Sequence, residues 1–130
     1  MCPGDQRNGD DEHIVLETEV LGTLTKLKEQ GMIKAVGFSG KTVSGSALAL
    51  DLCDIFMITL NEQDQSQTSL IEQCYSLDKA VVIKKALGSG HSGNPNQSIR
   101  FTNQFPGVTS TIVGTINQSH LEQNVAAVLS

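Results

Sequence analysis

The segment Gly114-Thr115-Ile116-Asn117-Gln118-Ser119 follows a β-branched run, Thr109 to Val113, and precedes an apolar-periodic stretch reaching about Leu129. A strand that stops at a glycine and turns into a helix start presents backbone N–H groups with no intrahelical partner. Such groups suit a phosphate. Gly114 permits close backbone approach, Thr115 adds a hydroxyl, and the helix start contributes about half a positive charge. His120 is a weak anion partner, because an imidazole of pKa ~6.5 is mostly neutral at pH 7. The same segment also reads as a turn with polar caps, and the spacing alone leaves both readings open.

A second candidate lies upstream. Lys84-Lys85-Ala86-Leu87-Gly88-Ser89-Gly90-His91-Ser92-Gly93 is a long glycine-rich loop after an apolar run, a common place for function. One lysine of the pair either snorkels to solvent or projects into a ligand mouth and attracts a pyrophosphate. His91 reads as an exposed loop residue with no second metal ligand at a suitable spacing. No Ser-His-Asp or Cys-His arrangement stands out. Cys2, Cys53 and Cys74 are odd in number and lack metal-ligand spacing. They read as reduced thiols of a cytoplasmic protein, with Cys53 and Cys74 serving as packing.

The elements that must position these residues alternate regularly. Residues 1–11 carry Pro3, Gly4, Gly9 and several acids and read as a flexible N-terminal segment. Asp10, Asp11 and Glu12 read as a solvated acidic run. Glu17 to Gln30 places Val20, Leu21, Leu24 and Leu27 on one helical face, with Gly31 as its C-cap. Ile33 to Phe38 reads as a strand. Thr42 or Ser44 caps a helix whose apolar face is Ala47 to Leu52. Ile55 to Leu60 is a second strand, followed by a helix over about Ser69 to Ser76. Ala80 to Ile83 is a third strand, followed by a helix near Gln97 to Gln104. Thr109 to Val113 is the fourth strand and leads into the last helix. This is an α/β pattern, a helix followed by four βα units, and it predicts a parallel sheet with right-handed crossovers. In such sheets ligands sit at the strand C-terminal ends.

Composition excludes several classes. The 130 residues suffice for one domain, residues 12–130 by this reading. The net charge of −5 and the absence of a basic stripe argue against nucleic acid or an anionic membrane as partner. No apolar run is long enough to span a bilayer, and no secretory signal is evident.

Several pieces together resemble the aldo-keto reductase family, in its C-terminal half. They are Gly31-Met32-Ile33-Lys34-Ala35-Val36-Gly37-Phe38-Ser39, then Lys84-Lys85-Ala86-Leu87-Gly88-Ser89-Gly90. Phe105-Pro106-Gly107-Val108-Thr109-Ser110, Ile112-Val113-Gly114-Thr115 and His120-Leu121-Glu122-Gln123-Asn124 follow in the family's order. The resemblance implies a four-stranded parallel half of a TIM (βα)8 barrel and an NADP(H) site. It assigns Ser39 to the nicotinamide carboxamide, and Leu87 and Ser89 to the pyrophosphate loop. Gly114, Thr115 and Asn117 fall at the 2′-phosphate turn. His120 stands where many members carry Arg, and Gln123 and Asn124 fall at the adenine edge. Gly40 replaces the family's usual Asn, and Met57 lies where a Gln is common. The family's catalytic Asp, Tyr, Lys and His belong to units with no counterpart here. His13 does not match the catalytic histidine, and Tyr75, the only tyrosine, falls in a helix away from the strand ends.

Half a barrel leaves two open sheet edges and an uncovered interior face, which invite association. Ala35, Gly37 and Ser39 share that face by alternation. A homodimer that completes the barrel is the leading expectation, with a missing N-terminal half as the other. The start Met1-Cys2-Pro3-Gly4-Asp5 is unlike the family and fits a chain that begins there or an artificial junction. Three functions compete: an NADP(H)-binding half that is inactive alone, a carbonyl reductase active as a dimer or with a partner chain, and a non-catalytic interaction module using the sheet edges.

Overall fold

The computed structural model describes residues 9–90 and 93–129. Two helices, α1 (Gly9–Glu17) and α2 (Val20–Glu29), precede four parallel strands, β1 (Gly37–Phe38), β2 (Ile55–Thr59), β3 (Ala80–Lys84) and β4 (Ser110–Thr111). Between and after the strands come α3 (Val43–Leu48), α4 (Thr68–Ser76), α5 (Pro95–Gln104) and α6 (Gln118–Leu129). The strands lie in sequence order, with Phe38 opposite Phe56, Met57 opposite Val82, and Val82 opposite Ser110. This is the parallel α/β sheet the alternation predicts, in the half-barrel order the resemblance implies.

Local chemistry sets the element ends. Thr42 caps α3 by accepting from the Gly45 N–H at 3.1 Å. Asn94 caps α5 through the Gln97 N–H, with Pro95 in the first turn. Gly31 closes α2 at a φ of 72°, a conformation that costs glycine little.

The sheet has two unlike faces. Phe56, Ile58, Val81 and Ile83 are buried against Leu50, Leu70, Ile71 and Cys74 on the helix side. Burying side chains of this size contributes about 1.5–3 kcal/mol each. The opposite face stays open. Ala35, Gly37 and Ser39 are exposed while Val36, Phe38 and Gly40 are buried, and Ile112 beyond β4 is 51% exposed. In a closed barrel this face would line the interior.

Four sequence expectations are corrected. Residues 9–11 are helical, so the flexible segment expected over 1–11 does not extend to them, and residues 1–8 lie outside the described part. Asp11 is buried rather than solvated, because its carboxylate accepts from backbone N–H groups of the loop after β1. The strand expected from Ile33 is paired only at Gly37–Phe38. Just before it, the Val36 N–H is taken by the Asp54 carboxylate at 2.9 Å. The third helix stops at Leu48, and the buried Ala49 and Leu50 follow it in a turn.

Candidate functional site

The strand C-terminal ends form a mouth, and each tip is fixed by a different device. Beyond β1, Asp11 reaches across from α1 to hold the Lys41 and Thr42 N–H groups. Gln67, buried just ahead of α4, accepts from the Thr59 N–H at 3.0 Å and donates to the Lys41 carbonyl at 2.8 Å. One amide thus joins the end of β2 to the loop after β1. Neither residue is suggested by the sequence: Asp11 sits in an acidic run, and Gln67 in a polar linker.

Lys84 resolves one of the two readings of the lysine pair. Its Nζ reaches across β2 and donates to the Ser39 hydroxyl at 3.0 Å and to the Gly40 carbonyl at 2.8 Å. The side chain therefore turns into the mouth. Burial, and next the neighbouring Lys85, push its ammonium below the usual lysine range. Lys85 adopts a left-handed φ of 58°, and its carbonyl accepts from Asn61 Nδ2 at 3.1 Å and from the Gly88 N–H at 2.8 Å. Ser89, at a φ of 59°, shares that uncommon conformation.

Gly40 has a local explanation. A Cβ there would collide with the Ser46 hydroxyl and crowd Phe38. Ser46 of α3 fills the space in which a larger side chain at position 40 would begin.

Two adjoining clefts contain most of the anticipated cofactor residues. One, of about 140 Å³, is lined by Leu87, Gly114, Thr115, His120, Gln123 and Asn124 together with Pro95 and Val113. The other, of about 350 Å³, runs along Lys85 to Leu87, Ser89, Gly90 and Ile112 to Gly114. They share Leu87, Val113 and Gly114. A Cβ built on Gly114 meets nothing within 4 Å, so open space lies beside its backbone. Asn117 lines neither cleft. Its side-chain oxygen caps α6, accepting from the Ser119 N–H at 2.9 Å, the Ser119 hydroxyl at 2.8 Å and the His120 N–H. Thr115 Oγ1 accepts from the Asn117 N–H at 3.2 Å and so shapes the same turn. Ser39 lies apart from both clefts, at the β1 tip.

Other candidate chemistry stays away from the mouth. Tyr75 is 70% exposed in the last turn of α4, ahead of the start of β3 and so at the opposite end of the strands from Ser39 and Lys84. His13 pairs with Glu17 on exposed α1. Among the described residues no group of three His, Cys, Asp or Glu side chains can hold a metal, and no helix is long and apolar enough to cross a membrane. His91 lies outside the described residues.

Four parallel strands, helices on one face, an open face opposite and a polar mouth at the strand C-terminal ends define half of a βα barrel. The chain has the fold of half an aldo-keto reductase barrel and is a half-length relative of those proteins. It is similar to two solved structures, each described as a putative aldo-keto reductase from Pseudomonas aeruginosa. Both are 40% identical over 93% of this chain, with TM-scores of 0.84 and 0.85. The chain spans 48% and 46% of their lengths. No protein-family model matches it, and no curated protein does.

Proposed function

We propose that this half-barrel binds NADP(H) along the mouth and carries out no carbonyl reduction by itself. The observation that carries the reading is the pair of joined clefts between the β3 loop and the β4 turn. Their lining fits a phosphorylated nucleotide. Space beside Gly114, the Thr115 hydroxyl, the start of α6 and the amides of Gln123 and Asn124 meet at one end, and Ser89 and Lys85 lie at the other. Ser39 at the β1 tip would hold the carboxamide. Bound cofactor supplies the hydride in reductions of this class. The tyrosine, Tyr75, lies at the far end of the strands, whereas general-acid catalysis requires a donor within hydrogen-bond reach of the developing alkoxide.

A partner completes the barrel in this proposal. The leading partner is a second copy, and the alternative is the missing N-terminal half. The open face bearing Ser39 and Ile112, the free β1 and β4 edges, and the half-exposed Leu121, Val125 and Val128 on α6 all favour coverage. The free, buried Cys53 and Cys74 agree with a reducing compartment such as the cytoplasm.

Titration with NADPH, followed by cofactor fluorescence and by sedimentation velocity, tests both parts. The reading requires saturable binding that weakens in Gly114→Val, and a dimer at micromolar concentration. No binding at millimolar NADPH removes the cofactor assignment, and a well-ordered monomer removes the dimer.

A further inference from the structure

We infer that Lys84 makes the mouth select the oxidation state of its cofactor, holding the reduced nicotinamide more tightly than the oxidised one. This rests on the NADP(H) reading above and goes beyond it, to a charge the chain places beside the ring position.

The ammonium is fixed rather than free. It is held at the β1 tip by Ser39 Oγ at 3.0 Å and the Gly40 carbonyl at 2.8 Å, on the strand two positions away. Both partners are neutral oxygens. Among the described residues, the lysines with carboxylate partners are Lys28 with Asp54 and Lys41 with Asp10. Asp11 faces the ammonium electrostatically, but its carboxylate is bonded to the Lys41 and Thr42 N–H groups. Lys85, and Lys41 in its pair with Asp10, add like charge nearby. Three lysines, Lys41, Lys84 and Lys85, thus meet two carboxylates, Asp10 and Asp11, at this tip, and of the three only Lys84 is bonded to Ser39.

Ser39 is the residue assigned to the nicotinamide carboxamide, so its bond to Lys84 brings that charge to the ring end of the site. An oxidised nicotinamide ring is cationic and a reduced ring is neutral. A fixed cation nearby penalises only the oxidised form, and at a half-exposed position solvent and salt reduce that penalty to a modest one. The phosphates are common to both forms and cancel from the comparison. The expected preference is about tenfold.

Calorimetric titrations of the whole chain with NADPH, NADP+ and 2′-phospho-ADP-ribose, at one ionic strength, test this directly. The wild type is expected to favour NADPH over NADP+ about tenfold. Lys84→Arg keeps the charge and the preference. Lys84→Met brings the two affinities to within about twofold and leaves 2′-phospho-ADP-ribose, which lacks the ring, unchanged. Lys84→Gln serves as the neutral variant if the methionine form does not fold. An unchanged ratio in the neutral variant overturns the inference. Equal weakening of all three ligands also overturns it, because the lysine then serves the phosphates. Failure of the wild type to bind any of the three defeats the cofactor reading itself, a result distinct from binding without discrimination.

Discussion

Asp11, in the first turns of α1, accepts a hydrogen bond from the Thr42 backbone N–H at 2.9 Å, across 31 positions of sequence. The same oxygen serves the Lys41 N–H and, at 3.3 Å, the Thr42 hydroxyl. Asp11 as a whole is 4% exposed. Removing the carboxylate leaves partly buried donors unpaired at the loop that carries Ser39 and Gly40. Asp11→Ala is therefore expected to cost about 2–3 kcal/mol, measured by urea denaturation, and to increase amide exchange at residues 41 and 42. A loss within the error of the measurement would show that the N-terminal helix does not support the mouth.

Gly40 and Ser46 form a second dependent pair. Gly40→Ala forces its Cβ against the hydroxyl of Ser46, a buried residue of α3. Overpacking of this kind costs about 1–3 kcal/mol. Adding Ser46→Ala relieves the closest contact and is expected to recover part of the loss, with Phe38 still crowded. The double-mutant cycle checks this: additive effects would mean that the two positions do not touch.

Much of this architecture is legible in the chain, for identifiable reasons. The apolar runs at Ile55 and Ala80 are long and uninterrupted, so both strands appear where the pattern puts them. Of Thr42 and Ser44, both able to cap, Thr42 does so, and Gly31 closes α2 as its glycine chemistry suggests. The edge strands are harder to delimit. Asp54 takes the Val36 N–H, and the Thr109 hydroxyl accepts from the Val81 N–H, so side chains replace ladder bonds there. The clefts gather Leu87, Ser89, Gly114, Thr115, His120, Gln123 and Asn124 because these follow adjacent parallel strands. Asn117 goes to a cap instead, a role equally open to an Asn just before a helix. Asp11, Gln67 and the direction of Lys84 depend on contacts between segments distant in sequence, which no local pattern encodes.

Asp54 gives the fold an acid-sensitive element. Lys28 donates to both of its oxygens, at 2.6 and 2.8 Å, and that bond, followed by the Val36 N–H, holds its carboxyl below the usual range. A lowered folded pKa stabilises the protein above the unfolded value of ~3.9. The gain disappears as pH falls through the lower folded value. The pair is partly exposed, so about 0.5–1 kcal/mol is at stake. Asp54→Asn should be less stable than wild type at pH 6, and the gap should close toward pH 2. A gap independent of pH would assign the loss to packing.

Cys74 acts on the alkaline side. Burial pushes its thiol up to about 11, and Cys53 is raised for the same leading reason. A raised pKa contributes stability that is complete below the unfolded value of ~8.5 and fades as pH rises toward the folded one. Cys74→Ala cannot ionise, so its stability relative to wild type should improve from pH 7 to pH 10. Site-resolved alkylation at pH 8 should also find Cys53 and Cys74 reacting only as fast as the protein opens. Rapid labelling of either in the native state would contradict their burial.

In the proposed site the tips of β1, β3 and β4 serve one extended dinucleotide. Backbone amide shifts of the isotopically labelled chain, followed during addition of NADPH, test it most directly. Concerted, saturable changes are expected at Ser39, Leu87 to Gly90, and Gly114 to Thr115, with Asn124 among them and the outer faces of α2 and α4 unmoved. Changes confined to α2 and α4, or none at saturating cofactor, would contradict it.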